Sequence, residues 1–238
     1  MNTGDSMKPL FIYFVRHGQT VFNVEEVVQG HNDSPLTALG RYQASCTGIG
    51  LRGTVFNAAY SGDLERQYDT GRLVLQCSGN GDIKLQQYPY FREMCYGVFQ
   101  GRHYIDMLNP LFESINTPYG GFEILEQHFT ATEISQRVAL MDPSVETVEQ
   151  VRERMLKGID MIIEQNPEGG NVLISTSSVA IDDTFGALFP EFYRGGLIHN
   201  ASICIIRYQD GKFHLEKYND ISYRMAGERF FSSSDTAE

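Results

Sequence analysis

Residues 11–20 read Phe11-Ile12-Tyr13-Phe14-Val15-Arg16-His17-Gly18-Gln19-Thr20. The first five are β-branched or aromatic and too apolar for a half-exposed edge, so they predict a strand that is buried on both faces. Such strands are typical of parallel sheets, which bind ligands at the carboxyl ends of their strands. Arg16, His17 and Gly18 follow this strand directly and therefore occupy the position where we expect a functional site.

Strand and helix patterns alternate along the rest of the chain. Strand patterns cover residues 55–60, 171–175, 201–208 and 212–218, and the last two flank a Gly-containing turn that predicts a hairpin. Helical patterns cover about residues 37–51, where two glycines interrupt the pattern, 63–76 and 145–163, and a further helix ends near residue 189. This alternation predicts an α/β fold: a three-layer sandwich with a mainly parallel sheet and helices on both faces.

Residues 102–141 do not follow this rhythm and predict a helical insertion. The insertion contains several aromatic residues, so it is either a lid that selects the leaving group of a substrate or a helical excursion with its own small core. We find no repeat and no low-complexity linker, and therefore expect a single domain over residues 1–238 with a core at about 9–218. Residues 1–7 and 232–238 are short and polar and are expected to fray.

The composition limits the possible partners. Of 238 residues 19 are basic and 30 are acidic, which gives a net charge of −11, so we expect binding neither to nucleic acid nor to an anionic membrane. No apolar stretch approaches the ~20 residues of a membrane helix, and no secretory pattern is visible. The four cysteines are far apart in the sequence, which favours reduced thiols and a cytoplasmic location. A local pocket for a small anion remains compatible with this charge.

The Arg16-His17-Gly18 triplet suits phosphoryl transfer. An arginine fork holds anionic oxygens, a neutral imidazole attacks phosphorus, and the glycine permits close approach of the backbone. A lone histidine after a strand is more often a structural residue. The neighbouring arginine is the feature that favours the catalytic interpretation.

Four blocks of sequence extend this pattern along the chain. In order they are Val15-Arg16-His17-Gly18-Gln19-Thr20-Val21-Phe22-Asn23, Gln29-Gly30-His31-Asn32-Asp33-Ser34-Pro35-Leu36-Thr37, Tyr60-Ser61-Gly62-Asp63-Leu64-Glu65-Arg66 and Phe91-Arg92-Glu93. Together they resemble the histidine phosphatase superfamily, also called phosphoglycerate mutase-like. The resemblance covers about residues 9–208 and implies the phosphoglycerate mutase-like version of the α/β sandwich.

The resemblance also implies catalytic roles. His17 is the expected nucleophile, which forms a phosphohistidine and is neutral near pH 7 because the reference pKa of histidine is ~6.5. Arg16 and Arg66 are expected to hold the phosphoryl oxygens. Glu93 is the expected general acid and base. The alternatives are a solvated helix charge for Arg66 and a plain surface carboxylate for Glu93.

Neutral side chains complete the phosphate site that the resemblance implies. Asn23 and Gln29 are expected to donate hydrogen bonds to phosphate, and their alternative role is the capping of loops. The family has a second histidine at the end of a later strand. The corresponding stretch here is Asn171-Val172-Leu173-Ile174-Ser175-Thr176-Ser177-Ser178.

The second histidine of the family is therefore replaced by a hydroxyl residue. Depending on the alignment, Thr176 or Ser177 takes its position and is the expected phosphate ligand. A hydroxyl donates a hydrogen bond but carries no positive charge. His199, His31 and His103 are the candidates for a substitute, and each has a structural or surface role as its alternative.

These residues predict a phosphatase that hydrolyses a small phosphate monoester, with activity weakened by the missing histidine. The alternatives are phosphoglycerate mutase-type phosphoryl transfer and a degenerate protein that binds phosphate without turnover. The mutases carry an Arg-His pair where this chain has Met94-Cys95, which favours hydrolysis. We find no nucleotide-binding or metal-binding motif and expect neither a cofactor nor a metal. The expected partner is a small phosphorylated metabolite, and the oligomeric state is left open.

Overall fold

A mixed sheet of six strands organises the computed structural model, which describes residues 8–191 and 196–234. The strands are β1 (Leu10–Arg16), β2 (Ala58–Ser61), β3 (Leu85–Gln87), β4 (Gly170–Thr176), β5 (Ile203–Gln209) and β6 (Lys212–Asp220). Their spatial order is β3-β2-β4-β1-β5-β6. The first four of this order run parallel, whereas β5 is antiparallel to both of its neighbours. The predicted α/β sandwich is confirmed.

Helices cover both faces of this sheet. In the described part of the chain they are α1 (Val21–Val24), α2 (Ala38–Gly50), α3 (Glu65–Ser78), α4 (Tyr104–Ser114), α5 (Phe122–Leu125), α6 (Ala131–Ala139), α7 (Val148–Gln165), α8 (Ser178–Leu188) and α9 (Ser222–Ser234), with short 3₁₀ helices at Pro89–Phe91 and Gly97–Phe99. Several of these helices begin at a residue whose side chain caps the helix N-terminus. Thr147, for example, accepts from the backbone N–H of Gln150, whose side chain accepts in return from the N–H of Thr147.

Two hydrophobic clusters hold the layers together, one on each face of the sheet. On β1, Ile12 and Phe14 pack into the cluster that contains the apolar face of α7, whereas Val15 packs into the cluster that contains Leu51 and Val74. Alternate residues of one strand thus serve opposite faces. This is the pattern expected of a strand buried on both sides, and it confirms the prediction from residues 11–15.

The 102–141 segment is helical, as predicted. It contributes α4, α5 and α6, and its buried residues Met107, Leu111 and Ile134 belong to the same cluster as the apolar face of α7. A bridge between Val27 and His103 attaches the start of the segment to the loop after α1. The segment is therefore packed on the sheet domain beside the carboxyl end of β1.

Two predicted helices are present with small changes. α2 covers Ala38–Gly50, close to the predicted 37–51, and its glycines do not interrupt it: Gly50 allows close packing, because a Cβ there would collide with the backbone of Tyr223 on α9. The helix predicted from residue 63 begins at Glu65, since Asp63 is engaged in a bidentate ion pair with Arg92, with both N···O distances at 2.6 Å.

The C-terminal helix was not predicted. α9 begins beyond the predicted core end at residue 218 and packs on α2. Residues 232–234, which were expected to fray, form the end of this helix. Residues 1–7 and 235–238 lie outside the described residues.

Candidate active site

A cleft lies at the carboxyl ends of β1 and β4. The two strands pair in register from Leu10 with Gly170 to Arg16 with Thr176, and the His17 N–H then donates to the Thr176 carbonyl at 2.9 Å. The cleft contains about 820 Å³ of space outside the protein atoms, part of it open solvent. Six of the predicted site residues line it: Arg16, His17, Asn23, Gln29, Arg66 and Glu93.

The His17 ring is held in one tautomer. Its Nδ1 lies 2.8 Å from the Gly18 carbonyl oxygen, and since a carbonyl only accepts, Nδ1 carries the hydrogen and Nε2 keeps its lone pair. Burial lowers the pKa of this imidazole well below its ordinary value of 6.5, and the charges of Arg66 and Arg16 lower it further. The ring is therefore neutral at neutral pH and has an unprotonated nitrogen.

Glycine packing fixes the loop that carries His17. A Cβ at Gly18 would collide with the Gly40 carbonyl, and a Cβ at Gly40 would collide with the backbone of Gln19. The Gly18 N–H also donates to the Thr70 hydroxyl at 3.0 Å. The loop after β1 is thus clamped between α2 and α3, which orients the imidazole.

Two buried guanidinium groups flank His17. Arg66, which is 0% exposed, donates from Nη1 to the Asn32 carbonyl at 2.8 Å and to the Asp33 carboxylate at 2.9 Å, and from Nη2 to the Gly30 carbonyl at 2.7 Å. Arg16 donates to the Ile198 carbonyl. The Nε–H of each arginine is buried and has no hydrogen-bond partner among the described residues. Both positive charges are thus fixed at the inner end of the cleft.

Glu93 lies against the N-terminus of α8. Its Oε1 accepts from the N–H groups of Met94 at 2.9 Å and Ala180 at 3.0 Å, and its Oε2 accepts from Val179 at 3.2 Å. The side chain is buried, with 8% exposure, so the alternative of a plain surface carboxylate is wrong. The positive end of the helix orients a carboxyl group beside His17 and the two arginines.

Asn23 and Gln29 line the cleft and also hold the loops around it. Asn23 Oδ1 accepts from the Thr20 N–H at 3.1 Å as part of a capping box. Gln29 Oε1 accepts from the hydroxyls of Thr20 at 3.0 Å and Ser34 at 3.2 Å. In both side chains the oxygen is used by the protein, which leaves the amide N–H₂ as the group available to an anion in the cleft.

The two hydroxyl residues expected at the position of the missing histidine do not line the cleft. The Thr176 hydroxyl donates to the Phe91 carbonyl at 2.6 Å, and the Ser177 hydroxyl accepts from Gln67 Nε2 at 2.7 Å. The next residue, Ser178, does line the cleft. The run of four hydroxyl residues at 175–178 was the available signal, but their order along the strand end did not reveal which of them lines the cleft.

None of the three candidate substitute histidines lines the cleft. His31 Nε2 lies 3.0 Å from the Glu93 carbonyl oxygen, His103 Nδ1 lies 3.2 Å from the Glu25 carbonyl oxygen, and the His199 side chain is exposed. Each of these positions fits the structural or surface role that was its alternative.

The 102–141 segment forms much of the remaining cleft wall. We call this part the outer chamber: the lining residues contributed by 102–141, together with Asp182 and Leu197. Tyr104 belongs to it, and its ring packs edge-on against Phe122 with ring centroids 5.5 Å apart. Burial raises the pKa of Tyr104, and that of the adjacent Tyr96 rises well above 10.0 for the same reason and because of the charge of Glu93. Both phenols therefore remain neutral hydrogen-bond donors.

Membrane-spanning helices and clusters of metal ligands are both absent from the described residues. None of the helices within 8–191 and 196–234 is long and apolar enough to cross a membrane. Over the same residues, His, Cys, Asp and Glu side chains nowhere form a group of three or more that could hold a metal ion.

Comparisons with known proteins identify the family of this chain. The family model of the histidine phosphatase superfamily (branch 1) matches residues 12–221. The crystal structure of phosphoglycerate mutase from Bacillus anthracis str. Sterne is 31% identical and covers 94% of this chain and 98% of its own, with a TM-score of 0.85. The probable phosphoglycerate mutase GpmB of Yersinia enterocolitica is 28% identical over 204 residues, 84% of this chain and 86% of that protein. A mycobacterial glucosyl-3-phosphoglycerate phosphatase shares the fold at 22% identity and a TM-score of 0.69, with 90% of this chain and 99% of that chain covered. The chain belongs to the histidine phosphatase superfamily.

Proposed function

We propose that the protein is a phosphomonoesterase that hydrolyses a small phosphorylated metabolite through a phosphohistidine on His17. The observation that carries this proposal is the state of the imidazole. It is neutral, its Nε2 lone pair is free, and it shares the cleft with the guanidinium groups of Arg16 and Arg66, whose charges both act on it. A neutral nitrogen nucleophile beside two fixed positive charges is what attack on a phosphate monoester requires.

In the first step His17 Nε2 forms a bond to phosphorus and the ester P–O bond breaks. The leaving oxygen takes a proton from the Glu93 carboxyl. Oε2 is the oxygen suited to carry this proton, because it accepts only one N–H, at 3.2 Å, whereas Oε1 accepts two at 2.9 and 3.0 Å. Arg16 and Arg66 stabilise the charge on the phosphoryl oxygens while this bond exchange takes place.

In the second step water releases the phosphate. The Glu93 carboxylate accepts a proton from the water as its oxygen bonds to phosphorus, and the P–N bond to His17 breaks. Inorganic phosphate leaves, and both His17 and Glu93 return to their starting states. No group beyond those lining the cleft is needed to balance the protons.

Hydrolysis is favoured over mutase chemistry by the residues that replace the Arg-His pair of the mutases. Met94 is fully buried in the hydrophobic core, and Cys95 does not line the cleft. Neither supplies a positive charge for a second anionic group on the substrate. Water is therefore the acceptor that we propose for the phosphoryl group.

The experiment is to trap the intermediate. The protein is mixed with 4-nitrophenyl [³²P]phosphate and quenched in alkali, where phosphohistidine is stable, and one sample is then acidified. We expect label that is lost in acid, that is absent from His17→Ala and that is retained in His199→Ala, whose exposed side chain lies outside the cleft. Turnover without any label on the protein, or label that persists in His17→Ala, contradicts the proposed mechanism. Phosphate binding without turnover would instead identify the degenerate binding protein.

A further inference from the structure

The outer chamber is the part of the cleft where the leaving group of a phosphate monoester would lie. We propose that the protein selects phosphate monoesters whose leaving group is apolar and carries no anionic substituent, and that Ile134, Val138 and Glu126 determine this selectivity. As a statement about hydrolysis rates, this inference rests on the proposed function. The shape and charge of the chamber also predict which phosphonates bind more tightly, and that prediction does not require turnover.

The first observation is the apolar wall opposite the phosphate end. Met107, Ile134 and Val138 line it and are 2%, 5% and 1% exposed. The edge-on pair of Tyr104 and Phe122 extends this wall. These side chains have almost no contact with water of their own. A leaving group that packs against them is itself removed from water, which favours an apolar or aromatic group.

The second observation is the sign of the charges. Among residues 8–191 and 196–234, the cationic side chains that line the cleft are Arg16 and Arg66, both at the phosphate end. The charged side chains of the outer chamber in the same residues are Glu126 and Asp182. Within the described part of the chain, a carboxylate on the leaving group would therefore meet apolar surface and like charge, which costs affinity.

The third observation is that neighbouring arginines are engaged elsewhere. Arg92 makes its bidentate ion pair with Asp63. Arg154 pairs with Glu146 and donates to backbone carbonyls, including that of Glu93 at 2.8 Å. Neither arginine lines the cleft, so neither offers a carboxylate a partner.

Glu126 has a position suited to discrimination. Its Oε1 accepts from the Leu197 N–H at 3.0 Å, which holds the carboxylate at the rim of the chamber. Glutamine keeps an oxygen for this bond and removes the charge. Glu126→Gln therefore tests the electrostatic part of the selectivity with little change in packing.

The kinetic experiment compares benzyl, 4-methylbenzyl and 4-carboxybenzyl phosphate, whose leaving oxygens have similar basicity. We expect kcat/KM for 4-carboxybenzyl phosphate to be at least about 10-fold below that of 4-methylbenzyl phosphate, because of like-charge repulsion and the unpaired carboxylate. Glu126→Gln should narrow this ratio, and Ile134→Lys should narrow it further. The matched control is Leu140→Lys, because Leu140 lies at the end of the same helix, is 87% exposed and does not line the cleft.

The binding experiment separates this inference from the proposed function. Calorimetry with benzylphosphonate and 4-carboxybenzylphosphonate needs no turnover and uses the wild-type protein. A Kd at least about 10-fold weaker for the carboxylated compound supports the inference even if no ester is hydrolysed. Equal or tighter binding of the carboxylated compound overturns it, as does a kcat/KM ratio that Glu126→Gln leaves unchanged while the variant remains folded. Absence of turnover and of phosphohistidine, with selective binding intact, would overturn only the proposed function.

Discussion

The ends of β1 and β4 lie side by side, yet their side chains do different things. Arg16 pairs in register with Thr176, so both strands deliver residues to the same edge of the sheet. Arg16, the last residue of β1, and His17, the next residue, line the cleft. At the end of β4, the hydroxyls of Thr176 and Ser177 bond to Phe91 and Gln67 within the protein, and only Ser178 reaches the cleft. A strand end places residues near the site, but their hydrogen-bond partners decide which of them face it.

The largest effect is expected from the charged groups that accompany the end of β1. Arg66→Lys keeps one positive charge but loses the fork that binds oxygens from two nitrogens. We expect kcat/KM for 4-nitrophenyl phosphate to fall by about 10²–10³-fold, the usual loss for a preorganised donor. Steady-state kinetics on the variant measure this loss.

Arg72→Lys is the matched control for this variant. Arg72 lies on the same helix, its side chain is 53% exposed, and it forms an ion pair with Asp69 at 3.8 Å. The Arg72→Lys variant should have the same kcat/KM for 4-nitrophenyl phosphate as the wild type. A similar loss in both variants would mean that α3 is sensitive to any such replacement and would remove the argument for Arg66.

A smaller effect on activity is expected at the end of β4. Ser178→Ala removes the one hydroxyl of residues 176–178 that lines the cleft. Loss of one neutral hydrogen bond to the phosphoryl group should lower kcat/KM by about 3–10-fold. Stability should change little, since the Ser178 hydroxyl otherwise accepts a single N–H, from Ile198 at 3.2 Å. An unchanged kcat/KM would mean that this hydroxyl does not contact the substrate.

Thr176→Val should show the opposite behaviour. The Thr176 hydroxyl is fully buried and donates to the Phe91 carbonyl at 2.6 Å. Its removal should lower the free energy of unfolding by about 1–2 kcal/mol and leave kcat/KM nearly unchanged. Urea denaturation together with kinetics measures both quantities. A loss of activity without loss of stability would instead place Thr176 in the phosphate site.

The contrast between the two strand ends also shows which features of the structure can be predicted from the sequence. The apolar run before Arg16 and the matched blocks predicted the sheet and six of the residues that share the cleft. They did not reveal that Asp63 would pair with Arg92, that α9 would pack on α2, or that Ser178 would line the cleft. These features depend on contacts between residues far apart in the sequence, and local patterns carry no information about such partners.

Two buried titratable groups, His17 and Asp183, should make stability depend on pH in opposite directions. Folding lowers the pKa of His17 below 6.5, so the unfolded chain binds more protons in that range and stability falls as pH decreases below about 6.5. Asp183 on α8 is fully buried, and neither carboxyl oxygen has a hydrogen-bond partner among the described residues. Burial, with the charge of Asp182, raises the pKa of Asp183 from 3.8 to about 8.

The folded state therefore keeps a proton on Asp183 that the unfolded chain loses above about pH 4, so this group reduces stability as pH rises towards 8. Asp183→Asn has the same shape and no titration. Relative to wild type, the free energy of unfolding of this variant should increase by roughly 1–3 kcal/mol more at pH 8.5 than at pH 5.5. Asp160→Asn, at an exposed position on α7, should show no such difference in urea titrations. If Asp183→Asn changes stability equally at both pH values, then Asp183 titrates alike in the folded and unfolded chains, and burial beside α7 does not keep it protonated.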